Sequence, residues 1–208
     1  LRQSGQLAAR QGRFADAVTD FERAVALMPD DRGLVGALVQ AQWLSGDQAG
    51  TLANLNQWLE AHPEDLGFKL MLGNYALARD DQDAAIASFQ QVLEEQPDNV
   101  LALNNLAWLL REQDTEQALS MARRATEIAP ESASVQDTLG VVLLETGDTS
   151  AAVAARREAA RLADNAPAIT LNLARALAAN DEADQAKAQL REILDTYPDF
   201  NQRKEASS

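Results

Sequence analysis

Proline recurs at a fixed interval along this chain. Pro29, Pro63, Pro97 and Pro130 are separated by 34, 34 and 33 residues, and Pro198 falls two intervals after Pro130, with Asp164 on the skipped beat. Self-similarity at about 34 residues is the period of a stacked helix–turn–helix unit, which buries its apolar face only against a neighbouring copy. The spacing therefore argues for an array that grows in one direction rather than a globule around one centre.

The residues between the prolines fall into the same frame. Gly5, Gly73, Ala107, Gly140 and Ala174 recur where the two helices of each unit cross, and only a tiny side chain allows that approach. Ala17, Ala85, Ala118, Ala152 and Ala186 are expected to face them from the second helix. Phe21, Phe89 and Leu190 are long enough to reach toward the next unit and fill the volume between layers. Gly12, Gly46 and Gly147 sit where a left-handed residue ends the first helix, and the prolines end the second. The second unit diverges most, keeping Leu38, Gly46, Leu55 and Pro63. The fourth is one residue short: Arg111-Glu112-Gln113-Asp114 replaces the turn glycine and predicts a tighter, 3₁₀-like turn. Ala and Leu lead the apolar share and aromatics are sparse, which favours helices over sheet.

These positions, in phase over nearly the whole chain, resemble the tetratricopeptide (TPR) family. The resemblance implies an all-α, right-handed α-solenoid of about six TPR helix–turn–helix repeats. The repeats run approximately 1–31, 32–65, 66–99, 100–132, 133–166 and 167–200 in one solenoid over 1–198, with a polar tail at 201–208. The first repeat opens on Leu1, and the chain is expected to be part of a longer array. In this family the first helices line a concave groove that holds partner peptides. Carried onto this sequence, the groove candidates are Gln40, Trp43, Asn74, Asn104, Trp108, Arg111, Asp137 and Arg175. Asn104, Trp108 and Arg111 share one helix face. Each Trp has two readings, ligand anchor or packing between layers, and Trp58 in a second helix reads as packed or convex. Some relatives grip a terminal carboxylate with two asparagines and several cations. Asn74 and Asn105 match the asparagines, but Leu70, Ser134 and Thr138 stand where the cations are needed, so that mode is rejected.

The chemistry that the residues exclude narrows the function. Net charge is -14, with acidic and basic residues interspersed, so no basic face is available for phosphates or anionic lipid. There is no cysteine, and the single histidine, His62, sits in a turn where solvent exposure is expected. No zinc site follows from one histidine, and Asp80, Asp81 and Asp83 lack the alternation of a calcium loop. Asp137 has no evident carboxylate partner for glycoside hydrolysis. The expectation is a non-enzyme without cofactor or metal.

A narrower resemblance spans residues 100 to 198. Leu103-Asn104-Asn105-Leu106-Ala107-Trp108-Leu109-Leu110, then Ala125 to Pro130, Asp137-Thr138-Leu139-Gly140 and Leu171-Asn172-Leu173-Ala174-Arg175-Ala176-Leu177-Ala178 look like the C-terminal repeats of TPR lipoproteins in Gram-negative PEP-CTERM/exosortase and exopolysaccharide loci. That resemblance implies a periplasmic protein-binding scaffold, anchored to the outer membrane through an upstream lipid; a cytoplasmic placement is the alternative. The competing role is a structural spacer or a weak homodimer through solenoid ends, for which Ala186, Leu190 and Ile193 would offer an apolar face unless Phe200 and the tail cover it.

Overall fold

A computed structural model describes residues 1–197, so Pro198, Phe200 and the tail lie outside the described residues. Twelve helices follow one another in the described residues, with no strand. They pair as α1 (Arg2–Arg10) with α2 (Phe14–Leu27), α3 (Arg32–Ser45) with α4 (Gln48–Ala61), and α5 (Leu66–Ala78) with α6 (Gln82–Glu95). The pairs α7 (Val100–Leu110) with α8 (Thr115–Ile128), α9 (Ala133–Glu145) with α10 (Thr149–Leu162), and α11 (Pro167–Ala179) with α12 (Ala183–Thr196) complete the array. The fold class is thus an all-α solenoid of six helix–turn–helix repeats.

Local rules explain each start and stop. Asp31, Asp47, Asp65, Asn99, Asp114 and Asp148 each accept a hydrogen bond from a backbone amide of the helix that follows, satisfying a donor left open at the first turn. Gly12, Gly46 and Gly147 have φ of 73°, 83° and 80°, the left-handed end expected of them. Asp80 and Asp181 hold the same register in repeats three and six, with φ of 60° and 61°. After each of these five residues the next amide donates five residues back, for example Asp47 N to Gln42 O at 2.9 Å. Repeat four lacks that left-handed residue altogether. There Gln113 N reaches Leu110 O at 3.1 Å and Asp114 N reaches it at 2.8 Å, so the predicted tight turn forms. At the skipped proline, Asp164 and Asn165 turn the chain with φ of 49° and 55°, and Pro167 opens α11 instead.

The chain divides into two compact units, the first from Leu1 to Ser88 and the second beginning at Phe89. In the first unit Ala8, Ala17, Phe21, Ala24, Leu34 and Leu38 make one core. Val35, Val39, Leu55, Trp58, Phe68 and Tyr75 make another. A Cβ added at Gly5 would lie 2.7 Å from the Phe21 ring, which is why the crossing position admits only glycine there. Trp58 is buried as expected, stacked on Phe68 at 5.0 Å between ring centroids. His62 departs from its expected exposure: it is half-buried, stacked on Trp58 at 3.9 Å, with Nδ1 3.2 Å from Trp58 O.

In the second unit α7, α9 and α11 lie side by side, each backed by its partner helix. Ala186 and Ile193 are buried, and Leu190 is half-buried with Leu194 against Leu171 and Ile193. The apolar face expected to be open beyond repeat six is therefore turned inward, because α12 packs this side on α11.

Candidate functional site

Gln40, Trp43 and Asn74 belong to the first unit. Gln40 on α3 and Asn74 on α5 are exposed. Trp43 is half-buried and meets Tyr75 edge-on, with ring centroids 5.4 Å apart. Tyr75 is itself fixed, its hydroxyl donating to Gln48 O at 2.7 Å, so Trp43 is held against the core and shows only part of its ring. Gln40 borders an open groove of about 380 Å³ between α1 and α3.

A polar knot stabilises the same unit at the α4–α5 turn. Arg32 forks onto Asp65 through Nε at 2.7 Å and Nη2 at 2.8 Å, and the Trp58 indole N–H donates to Asp65 at 2.9 Å. These Arg32 bonds, helped by Trp58 and the Phe68 amide and opposed by burial, hold the Asp65 carboxyl down at a pKa of about 2.

Asn104, Trp108, Arg111, Asp137 and Arg175 belong to the second unit. Trp108 is 44% exposed on α7, and Leu101, two turns earlier on the same face, is 61% exposed. The Arg111 guanidinium carbon lies 4.3 Å from the Trp108 ring centroid, and Nη1 donates to Trp108 O at 2.7 Å. Large apolar side chains left in water beside a stacked guanidinium form an adaptable contact surface. Asn104 is half-buried on this face, and its Oδ1 has no hydrogen-bond partner among the described residues. Leu101 was not among the sequence candidates; its register, seven residues before Trp108, is the signal that finds it.

Asp137 and Arg175 lie in a different setting. Asn172 Nδ2 donates to Asp137 Oδ2 at 2.9 Å, and Arg175 Nη1 donates to Asn172 Oδ1 at 3.3 Å. Beneath them Arg156 of α10, its side chain 5% exposed, donates from Nη1 to Asn172 O at 2.6 Å. Its Nε stands 3.9 Å from Asp137 Oδ1, an ion pair too long for a hydrogen bond, and neither atom has another such bond among the described residues. Burial raises the Asp137 pKa against the pull of Arg156, and burial likewise lowers that of Arg156. Arg156 was missed in the sequence, where it lies in the charged run Arg156-Arg157-Glu158.

Among the described residues no group of three or more His, Cys, Asp or Glu is placed to hold a metal ion, and no helix is long and apolar enough to cross a membrane.

Comparison with known proteins fits this geometry. Family models described as tetratricopeptide repeat match residues 67–131, 1–31 and 170–199, more than half of the chain together. Protein FlbA of Caulobacter vibrioides is 30% identical over 155 residues, covering 74% of this chain and 20% of that protein. Cellulose synthase 1 operon protein C of Komagataeibacter xylinus is 28% identical over 205 residues, 91% of this chain and 16% of that protein. A TPR repeat-containing protein of Pseudomonas aeruginosa is 27% identical over 144 residues, 67% of this chain and 24% of that one. The chain thus spans less than a quarter of the length of these relatives. The crystal structure of PilW, a type IV pilus biogenesis factor, superposes with a TM-score of 0.85 at 14% identity, covering 100% of this chain and 96% of that one. MamA from Desulfovibrio magneticus superposes with a TM-score of 0.71 at 17% identity, covering 83% and 98%.

Proposed function

The chain is built of tetratricopeptide repeats, and from that premise we propose that it is a non-catalytic scaffold that holds a partner protein against the α7 face. The observation that carries this reading is the exposed pair Leu101 and Trp108 with Arg111 laid over the indole. Exposed aromatic and guanidinium groups of this kind dominate the energetics of protein interfaces. Gln40, Trp43 and Asn74 in the first unit and Asp137 and Arg175 in the second are proposed as further contacts. The setting we propose is a bacterial envelope system for exopolysaccharide export or protein sorting, on the periplasmic side and tied to a lipid anchor upstream. Similarity to a cellulose synthase operon protein supports the polymer branch, and the PEP-CTERM-like strings over residues 100–198 support the sorting branch.

A photo-crosslinking amino acid placed at 108, and separately at the exposed Arg123 of α8, tests the scaffold reading in extracts of the native envelope. The expected result is a discrete crosslinked partner from 108 and none from 123. Identical products from both positions, or none from 108, would remove the α7 face from consideration. A second reading, a spacer that stacks end to end, is favoured by Leu7 of α1, which is 55% exposed. A monomer at high concentration in sedimentation rejects it.

A further inference from the structure

The α1–α3 groove of the first unit has a chemistry of its own. Phe14, Phe21, Ala37 and Ala41 line its wall, and Leu44 stands at one edge, 53% exposed. Its polar lining is Gln6, Gln40 and Arg10, all exposed. Arg10 is the single charged residue among the lining residues, and it forms no ion pair with the described residues. The other arginines of α1 and its turn are engaged, Arg2 with Asp31 and Arg13 with Asp16. At about 380 Å³ the groove falls in the range of about 300–1,000 Å³ typical of ligand pockets, enough for a whole side chain.

Resting on the reading that this chain binds protein, we infer that the α1–α3 groove is a specificity subsite for a partner segment carrying a bulky aliphatic side chain directly beside a carboxylate. The aliphatic group fills the apolar wall and covers Leu44. The carboxylate meets Arg10, and the Gln6 and Gln40 amides, each with donor and acceptor, receive the segment's backbone. Charge complementarity selects the neighbour. The chain as a whole is acidic at -14, but beyond the Debye length of about 8 Å that field is screened, and within the groove the facing charge is a cation.

The test uses the full chain and two nine-residue peptides of Ala and Gln that differ only in a central Leu-Asp or Leu-Lys. Amide shifts of Gln6, Gln40, Ala41 and Leu44 are followed by NMR on titration. The Leu-Asp peptide is expected to saturate these shifts and to bind about three- to fivefold tighter than Leu-Lys, the span of an exposed ion pair. Arg10→Gln erases that preference, and Leu44→Gln weakens both peptides; both positions are exposed, and an unchanged amide spectrum elsewhere shows that each variant folds. Equal binding of the two peptides, absence of shifts in the groove, or a preference that survives Arg10→Gln overturns the subsite. The α7 face is tested separately by crosslinking at 108, so either result can fail while the other stands.

Discussion

The first and fifth repeats place different chemistry in one register. In the first unit Gly5 opens the helix crossing and Phe21, sixteen residues later, closes on it. In the second unit Gly140 opens the crossing and Arg156, again sixteen residues later, takes the aromatic's place, with a Cβ at Gly140 only 2.4 Å from Arg156 Cγ. Phe21 is 2% exposed and Arg156 is 4% exposed, so both are core positions. The apolar filler needs nothing from its surroundings. The charged one must find partners, and it recruits Asp137 and the Asn172 carbonyl to do so. Glycine thus marks a crossing where something bulky arrives, whatever its polarity.

The largest expected effect is at the fillers themselves. Phe21→Ala should cost about 3–5 kcal/mol in the first unit. Asp137→Ala should cost about 1–3 kcal/mol in the second, because the half-buried Asn172 amide loses its acceptor. Urea titration with hydrogen exchange at Ala24 and Ala159 assigns each loss to its unit. The double variant Asp137→Asn with Arg156→Leu gives the fifth repeat the apolar character of the first and should lie within about 1 kcal/mol of the parent. A double variant as damaged as Asp137→Ala alone would mean that the charged filler is not interchangeable with an apolar one. Next in size, Gly5→Ala and Gly140→Ala should each cost about 1–3 kcal/mol, since neither buried neighbour can retreat freely.

Acid should then separate the two units. Asp65 has a folded pKa of about 2 against an ordinary 3.8, so its stabilisation is present above the ordinary value and is lost as pH falls toward 2. With Arg32 61% exposed, that contribution is about 1–2 kcal/mol. Asp137 has the opposite sign: its raised pKa makes the ionised form the costly one, and protonation on acidification relieves that cost. Hydrogen exchange at pH 5 and pH 3 should show the first unit loosening ahead of the second as far as these two groups decide it, and Asp65→Asn should flatten the response of the first. Smallest of all, Trp108→Ala should shift thermal stability by less than about 1 kcal/mol, because nearly half the side chain already faces water. A large loss there would reassign the indole to the core.

The helix pairs were legible because punctuation is local. A proline, a left-handed residue or a small residue at a crossing acts through its own backbone or one neighbour, so period and register follow from spacing alone. The capping carboxylates Asp31, Asp47, Asp65, Asp114 and Asp148 obey the same local logic, yet in an acidic chain they do not stand out from solvated ones. What stayed hidden depends on contacts far apart in sequence. His62 is the exception: Trp58 lies only four residues before it, so the stack at the end of α4 is local and was masked by the turn at Pro63. Arg156 sits in a charged run, and its burial follows from the register of Phe21 rather than from its own type. The candidate residues on α7 were readable because one helix face is a matter of periodicity; the knot at Asp65 and the cluster at Asp137 were not.

Shortening one loop by a residue has set the chemistry of a surface. With no left-handed residue to carry the chain away, Arg111 keeps right-handed backbone angles (φ -51°, ψ -34°) directly after α7. Its guanidinium therefore folds back as a visor over the Trp108 plate. The guanidinium, also paired with Glu112 at 2.6 Å, covers one side of the ring, while the indole as a whole stays 44% exposed. Inserting a glycine after Arg111 would detach visor from plate and leave the indole bare on both sides, a change made wholly within the backbone of a turn.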